Sequence, residues 1–152
     1  MNYRFGGTVC RTRLDSGPMG CLFCDRVPDE TILETDDLIV YLSLEGHPLV
    51  APRRHIRDVF ELDDQTASAI LPVAAKLARA LKASMDCEGV TISQANGAAA
   101  GQEVFHFHLH VVPRWEDDGK GFIRWNRVTE DERHRRADTL RAALSRDADG
   151  QR

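Results

Sequence analysis

Three histidines spaced two residues apart are the most distinctive chemical feature of the sequence. His106, His108 and His110 alternate with apolar residues between Val104 and Val112. In a strand, alternate side chains share one face, so the imidazoles would form a row with roughly 6–7 Å between neighbours. A neutral imidazole can attack phosphorus, and a neighbouring histidine can donate to a leaving group. The row predicts a catalytic site; the alternatives are a metal site on two adjacent histidines and a solvated surface strand.

Two cysteines form a second candidate site. Cys21-x-x-Cys24 supplies half of a tetrahedral zinc site, and the same spacing also occurs in redox pairs. Residues 1–13 carry charges but lack the apolar core of an export signal. We therefore expect a cytoplasmic protein with reduced thiols, in which this pair has a metal or redox role.

The segment directly before the histidine row predicts an anion-binding loop. The residues from Asn96 to Gly101 read Asn-Gly-Ala-Ala-Ala-Gly. Such small residues allow backbone N–H groups to approach a phosphate closely. The alternative is a plain hairpin turn.

Composition limits the classes of partner. The chain has 152 residues, 42% of them hydrophobic and 29% charged, as is typical of one globular domain. The formal net charge of −4 provides no broad positive field for nucleic acid or an anionic membrane. No apolar stretch reaches the roughly 18 residues that a membrane span needs. We expect neither a nucleic-acid nor a membrane partner, so a local site must hold any anionic ligand.

Several short strands must position these groups. Most connections between the predicted strands are too short for parallel crossovers, which favours antiparallel pairing. The strands are predicted in Thr31–Leu44 (two strands, broken at Asp36-Asp37), His47–Pro52, Val90–Gln94 and Glu103–Val112, the last ended by Pro113. Residues 1–18 are expected to form an arm, residues 19–147 the domain and residues 148–152 a tail.

Two helices complete the predicted fold. Apolar periodicity predicts the first over Asp63–Met85, with a kink or a late start at Pro72 and an end at Gly89. A capping-box pattern, Thr129-x-x-Glu132, opens the final helix. The sequence therefore predicts an α+β fold, with an antiparallel sheet of about five strands packed with helices.

The ordered motifs together resemble a known family. His106-Phe-His108-Leu-His110-Val-Val is similar to the motif of the histidine-triad (HIT) superfamily, in which three histidines alternate with apolar residues. The resemblance covers most of the chain and is to the zinc-bearing branch of the superfamily. The other matching motifs are Cys21-Leu-Phe-Cys24, Gly46-His47-Pro-Leu-Val, Pro52-Arg-Arg-His55-Ile, Asn96-Gly, Gly101-Gln102 and Pro113-Arg114.

This resemblance implies a nucleotidyl hydrolase that cleaves at the α-phosphate of a nucleoside phosphoramidate or a dinucleoside polyphosphate. It implies that His108 attacks phosphorus to form a nucleotidyl-histidine intermediate, which water then hydrolyses. His110 would contact the phosphate and the leaving group, while Asn96 and Gln102 match positions that hold the phosphate. The alternatives are a nucleotidyltransferase with an acceptor other than water, a nucleotide-binding regulatory protein without turnover, and a hydrolase that uses metal-bound water.

The resemblance also implies a metal site and a partner subunit. In the zinc-bearing branch, two cysteines combine with two histidines in a closed structural site. Carried onto this chain, the zinc ligands would be Cys21, Cys24, His55 and His106. The family further implies a homodimer in which two sheets join. His47 is expected to be a packed or hydrogen-bonded structural residue.

Two positions depart from the family pattern. Ser43 lies where the family usually carries an aspartate that holds the ribose hydroxyls, and serine can hydrogen-bond there but supplies no carboxylate. Ser43 is therefore a candidate substrate-binding residue with a changed contact to the nucleoside. Glu103 replaces a serine or threonine found near the phosphate in many relatives, and we expect it to point away from the anion.

Overall fold

The computed structural model describes residues 21–24, 31–119 and 126–150, with side chains up to residue 146. The predicted arm at residues 1–18 lies outside these ranges. Five strands form one antiparallel sheet in the order β1-β2-β3-β5-β4. The elements are β1 (Thr31–Glu34), β2 (Leu38–Leu42), β3 (Pro48–Pro52), α1 (Asp64–Met85), β4 (Gly89–Ser93), β5 (Leu109–Arg114) and α2 (Glu130–Gly150), with short 3-10 turns at Val59–Glu61 and Ala98–Ala100. The predicted α+β fold is confirmed.

The central strands are buried on both faces. Every residue of β2 and β3 is buried, which explains why these segments are continuously apolar in the sequence rather than alternating. One face packs against α1 and α2 and contributes residues such as Val40 and Val50 to the main core. The opposite face carries Tyr41 and Leu49, against which Phe23 packs. This second face is the one on which the candidate site lies.

The first helix begins at its predicted cap and ends at Met85, as predicted, but the residue that terminates it is not the predicted one. The Asp63 carboxylate accepts a hydrogen bond from the Thr66 backbone N–H at 2.9 Å, and the helix runs on through Pro72 without a late start. The prediction that Gly89 ends the helix is wrong. Asp86 adopts the left-handed conformation at φ 51° directly after Met85, and Gly89 is the first residue of β4. Aspartate tolerates that conformation better than most residues, so no glycine is needed there.

The strand that carries the histidines is shorter and displaced relative to its prediction. β5 begins at Leu109, six residues later than predicted, because the preceding backbone bonds elsewhere: the Phe107 N–H, for example, donates to the Ile56 carbonyl at 2.6 Å. Pro113 does not end the strand, and it lies opposite Val90 of β4. The pairing of β5 with β3 stops at His110, so the missing N–H of this proline removes no bond from that ladder.

The last helix closes the main core. Thr129 caps it by accepting a hydrogen bond from the Glu132 backbone N–H at 3.3 Å, as half of the predicted capping box. Its buried face, which includes Leu140 and Leu144, packs against α1 and β1. None of the helices within the described residues is long and apolar enough to cross a membrane.

Candidate catalytic and metal site

The three histidines share one face, as predicted, although only the third lies within β5. Phe107 and Leu109 turn toward the main core, and the rings of His108 and His110 lie 5.0 Å apart on the opposite side. The prediction that Phe105 shares the core face is wrong. Its ring is 39% exposed and is covered by the guanidinium of Arg57 at 5.0 Å. The alternation ends there because the backbone before Leu109 has left the sheet.

A backbone carbonyl determines which nitrogen of His106 faces the cysteines. The His106 Nε2 lies 2.9 Å from the Pro52 carbonyl oxygen, which can only accept, so Nε2 carries the proton. The lone pair is therefore on Nδ1, which lies 3.5 Å from the Cys21 sulfur and 3.4 Å from the Cys24 sulfur. His106 is completely buried, so solvent does not compete for this nitrogen.

Four ligand atoms from three parts of the chain converge around that nitrogen. The two cysteine sulfurs and one nitrogen each from His55 and His106 all lie within 4.8 Å of one another. The His55 Nδ1 is 3.3 Å from the Cys24 sulfur. Around a tetrahedral zinc ion, with Zn–S near 2.3 Å and Zn–N near 2.05 Å, nitrogen and sulfur ligands lie about 3.5 Å apart. The donor set and its spacing therefore fit a zinc-like ion, and four protein donors leave no open position.

Phe23 attaches the cysteine turn to the histidine face. The Cys24 N–H donates to the Cys21 carbonyl at 3.2 Å and closes the turn. The Phe23 ring meets the His106 ring edge-on at 5.5 Å and the His108 ring at 5.0 Å. The candidate metal cluster and the histidine row therefore share packing contacts, and a change in one is expected to disturb the other.

A second carbonyl orients His108. Its Nδ1 lies 2.7 Å from the His106 carbonyl oxygen, so Nδ1 carries the proton and the lone pair is on Nε2. Burial lowers the pKa of His108, and the hydrogen bond to that carbonyl acts in the opposite direction. The neutral form with a lone pair on Nε2 is the form that can attack an electrophile.

His110 is linked to two further residues that the prediction treated separately. The His47 Nε2 lies 2.8 Å from the His110 Nδ1, and the His47 Nδ1 lies 3.2 Å from the Ser43 hydroxyl. Burial, followed by nearby His108 and His47, lowers the pKa of His110 to about 3. Burial, followed by Arg136 and His108, lowers the pKa of His47 to about 4. His47 is buried and hydrogen-bonded, as predicted.

These depressed pKa values predict a loss of stability in mild acid. Both histidines bind protons more readily when unfolded, where the pKa is about 6.5, than when folded. Their contribution to stability is therefore complete above pH 6.5 and is lost as the pH falls through about 4. We expect the melting temperature of His47→Asn to fall less steeply than that of wild type between pH 7 and pH 4.5. Thermal melts across this range test the difference in slope, because carboxylates and metal ligands contribute equally to both proteins; equal slopes would contradict it.

The two predicted phosphate-binding side chains are used to shape the loop. Gln102 is buried; its Oε1 accepts from the Gly97 N–H at 2.7 Å, and its Nε2 donates to the carbonyls of Arg57 at 2.7 Å and Val104 at 3.1 Å. The Asn96 Oδ1 accepts from the Val59 N–H at 2.7 Å. The structure thus places both side chains beside the predicted loop, where they hydrogen-bond to backbone groups of the loop and of the neighbouring segment.

Glycines give this loop its shape. Gly97 and Gly101 flank the 3-10 turn at Ala98–Ala100 and have φ values of 82° and 87°, in the region that favours glycine. Glu103, which follows the loop, is exposed. The loop therefore depends on two glycines and one buried glutamine to hold its backbone in place.

The sequence did not predict that Ser43 contacts His47 and is connected through it to His110. The structure places its side chain, 7% exposed, at the end of β2 behind His47, in contact with that histidine. The connection to His110 depends on the pairing of β3 with β5, where Leu49 lies opposite His110. The sequence offers one usable signal, the four-residue spacing of Ser43 and His47 across a turn, but not the strand register.

Comparison with known proteins identifies the family to which the chain is similar. The family model described as "HIT domain" matches residues 26–117. An uncharacterized HIT-like protein of Borreliella burgdorferi is 38% identical over 118 residues, which cover 71% of this chain and 85% of that protein. An adenosine 5′-monophosphoramidase of Schizosaccharomyces pombe is 33% identical over 115 residues, which cover 70% of this chain and 84% of that protein.

A solved structure supports the same assignment. The crystal structure of a Zn-bound histidine triad family protein from Mycobacterium smegmatis has a TM-score of 0.77 and is 34% identical. The match covers 88% of this chain and 99% of that one. Fold, motif order and sequence identity thus agree, and the chain belongs to the HIT family.

Proposed function

We propose that this protein is a nucleotidyl hydrolase that cleaves at the α-phosphate of a nucleoside phosphoramidate or a dinucleoside polyphosphate. The observation that carries the proposal is the orientation of His108, whose Nδ1 is held by the His106 carbonyl at 2.7 Å. The Nε2 lone pair is thereby left available to attack phosphorus, and the centres of the His108 and His110 rings lie 5.0 Å apart. Relatives named adenosine 5′-monophosphoramidase support the phosphoramidate class.

The proposed reaction has two balanced steps. For a phosphoramidate, the His108 Nε2 lone pair forms a bond to phosphorus as the P–N bond of the substrate breaks. The electron pair leaves with the amine, which takes a proton from the His110 imidazolium; the bound phosphate anion favours that charged form. Water then attacks phosphorus, the bond to His108 breaks with its electron pair returning to Nε2, and the proton from water restores His110.

The phosphate would lie against the loop from Asn96 to Gly101. Gln102 and Asn96 would act in substrate binding by holding this loop, since their side-chain atoms bond to its backbone and to neighbouring backbone. Ser43 would make, at most, an altered contact to the nucleoside, because its hydroxyl already contacts His47. The base that the site prefers is therefore decided outside these three residues.

Cys21, Cys24, His55 and His106 would hold zinc. When bound there, zinc would supply a structural cross-link between the cysteine turn, the segment after β3 and the segment before β5. His106 lies two residues before His108 and provides the carbonyl that orients it, so this cross-link would also stabilise the nucleophile. A closed donor set argues against a hydrolase that uses metal-bound water.

We also propose a cytoplasmic homodimer that acts on a small nucleotide and does not bind nucleic acid. β4 lies at the edge of the sheet, and its Ile92 is 43% exposed. An edge strand with an exposed apolar residue can pair with a second copy, which would join two sheets.

Turnover of a small substrate panel in ¹⁸O-labelled water tests the proposed function. The panel contains adenosine and guanosine 5′-phosphoramidates and dinucleoside tri- and tetraphosphates. We expect release of nucleoside monophosphate carrying one ¹⁸O atom on phosphorus. Product that forms only when an alcohol or phosphate acceptor is added would indicate a transferase instead. Tight nucleotide binding without any product would overturn the hydrolase proposal in favour of a regulatory binding protein.

A further inference from the structure

Ser43 occupies the end of β2 with its hydroxyl turned inward. It is separated from His47 by a tight turn in which the Ser43 N–H donates to the His47 carbonyl at 2.9 Å and the Gly46 N–H donates to the Ser43 carbonyl at 3.0 Å. Gly46 has a φ of 80°, and an added Cβ there would lie 2.9 Å from Arg136. Two backbone hydrogen bonds and the contact with Arg136 therefore hold the turn in place, with the Ser43 hydroxyl 3.2 Å from the His47 Nδ1.

The hydrogen bonds around the hydroxyl indicate its direction in the free protein. The Ser43 Oγ lies 3.2 Å from the Glu45 N–H and 3.5 Å from the His47 N–H, both of which can only donate. The hydroxyl proton is then directed to the His47 Nδ1, so His47 carries its proton on Nε2. That Nε2–H donates to the His110 Nδ1 at 2.8 Å, which leaves the His110 proton on Nε2.

The packing around His47 favours this neutral arrangement. Arg136 of α2 reaches the turn, where it donates to the Gly46 carbonyl at 3.3 Å while Glu132 holds its guanidinium at 2.8 Å. The positive charge of Arg136 opposes a positive charge on His47. If the hydrogen-bonded pair of His47 and His110 takes up a proton, the positive charge therefore belongs on His110, beside which the substrate phosphate would lie.

A charged His110 reverses the chain of hydrogen bonds. An imidazolium donates from Nδ1, so the His47 Nε2 must then accept and the His47 proton must lie on Nδ1, facing Ser43. The Ser43 hydroxyl can accept that proton by giving up its long, 3.5 Å contact with the His47 N–H and turning its own proton away from His47. An alanine can do neither, and an ionised aspartate can only accept.

We propose that Ser43 is a positioning residue, which keeps His47 bonded to His110 in both protonation states of His110 and so aims the His110 Nε2–H at the leaving group. In this chain the serine at this position thereby orients the proton donor, His110, and does not bind the ribose hydroxyls. The inference rests on the proposed hydrolase function. It differs from a structural role because it predicts a loss that depends on the basicity of the leaving group.

The kinetic test compares two substrates that differ in how much their leaving group needs a proton. These are an adenosine 5′-phosphoramidate of an alkylamine and the 4-nitrophenyl ester of adenosine 5′-monophosphate. For Ser43→Ala we expect kcat to fall at least about tenfold on the phosphoramidate and less than about twofold on the ester. Ser43→Thr retains a hydroxyl, and we expect it to restore most of the phosphoramidate rate. Equal losses of Ser43→Ala on both substrates, or no rescue by threonine when the variant melts like wild type, would overturn the proposal.

A spectroscopic test does not depend on turnover. Two-bond ¹H–¹⁵N correlations distinguish histidine tautomers, and we expect His47 of the free wild-type protein at pH 7 to be protonated on Nε2, with a mixture of tautomers in Ser43→Ala. A His47 protonated on Nδ1 in wild type, or an unchanged tautomer in Ser43→Ala, would refute the positioning role. If wild type cleaves neither of these substrates nor any of the dinucleoside polyphosphates, the hydrolase proposal fails, and the tautomer of His47 alone decides whether Ser43 positions it.

Discussion

Replacing His108 by glycine will reduce the release of nucleoside monophosphate by about 10³-fold or more, because it removes the atom that would bond to phosphorus. The change keeps all four candidate metal ligands and the bond of His106 to the Pro52 carbonyl, although it removes the contact of Phe23 with the His108 ring. The smaller side chain also leaves a space beside His110. We therefore expect added imidazole to occupy that space and to restore part of the rate, which steady-state assays with an imidazole titration will measure.

Two controls distinguish loss of the nucleophile from a general loss of structure. His134→Ala removes a histidine from α2, away from the triad, and should retain wild-type turnover. Mass spectrometry of wild type quenched in alkali during turnover should show a nucleotidyl adduct that is absent from the His108→Gly variant. Near-normal turnover by His108→Gly without imidazole would contradict the nucleophile assignment and would favour a different attacking group.

Removing the metal is the second change with a large expected effect. We expect the purified protein to contain one zinc ion per chain, and we expect Cys24→Ser to lose it. Structural zinc contributes on the order of 10 kcal/mol in small domains, and in a protein of this size each kcal/mol shifts the melting temperature by roughly 2–4 °C. A loss of even several kcal/mol therefore predicts a melting temperature lower by about 10 °C or more, measured by calorimetry beside elemental analysis.

Cys87→Ala is the matched control for the loss of a thiol. Cys87 is buried in the main core and is remote from the ligand cluster, so its replacement should leave the zinc content unchanged. A chelator should lower the melting temperature of wild type and of Cys87→Ala but have little effect on Cys24→Ser. A metal-free wild type that melts at the same temperature as the loaded protein would contradict a structural role for this cluster.

Local features of the fold could be predicted because their physical cause lies within a few neighbouring residues. The cap at Asp63 needs only its own carboxylate and the N–H of Thr66, three residues on. The common face of His106, His108 and His110 follows from alternation along an extended backbone. Short stretches of sequence likewise determine the cysteine pair, the glycines of the loop and the break at Asp36-Asp37 between β1 and β2.

The ends of strands were less predictable, because they depend on which distant groups the backbone N–H and C=O groups bond to. The segment before Leu109 alternates like a strand, yet its backbone bonds go to Ile56 and to the Gln102 side chain instead of to a neighbouring strand. Pro113 remains in β5 because the pairing with β3 has already stopped at His110. Neither outcome is visible without the whole sheet, since a residue ends a strand only if its missing bond was needed there.

The sequence by itself determined the types and spacing of the reactive groups, and the resemblance it carries named their family. Only the tertiary structure decided their hydrogen-bond directions: carbonyls of Pro52 and His106 assign the protons of His106 and His108, and the register of β3 with β5 brings His47 to His110. The physical reason is that alternation and capping are local, whereas buried polar groups are satisfied by partners far away in sequence, as with His106 and the Pro52 carbonyl, 54 residues apart.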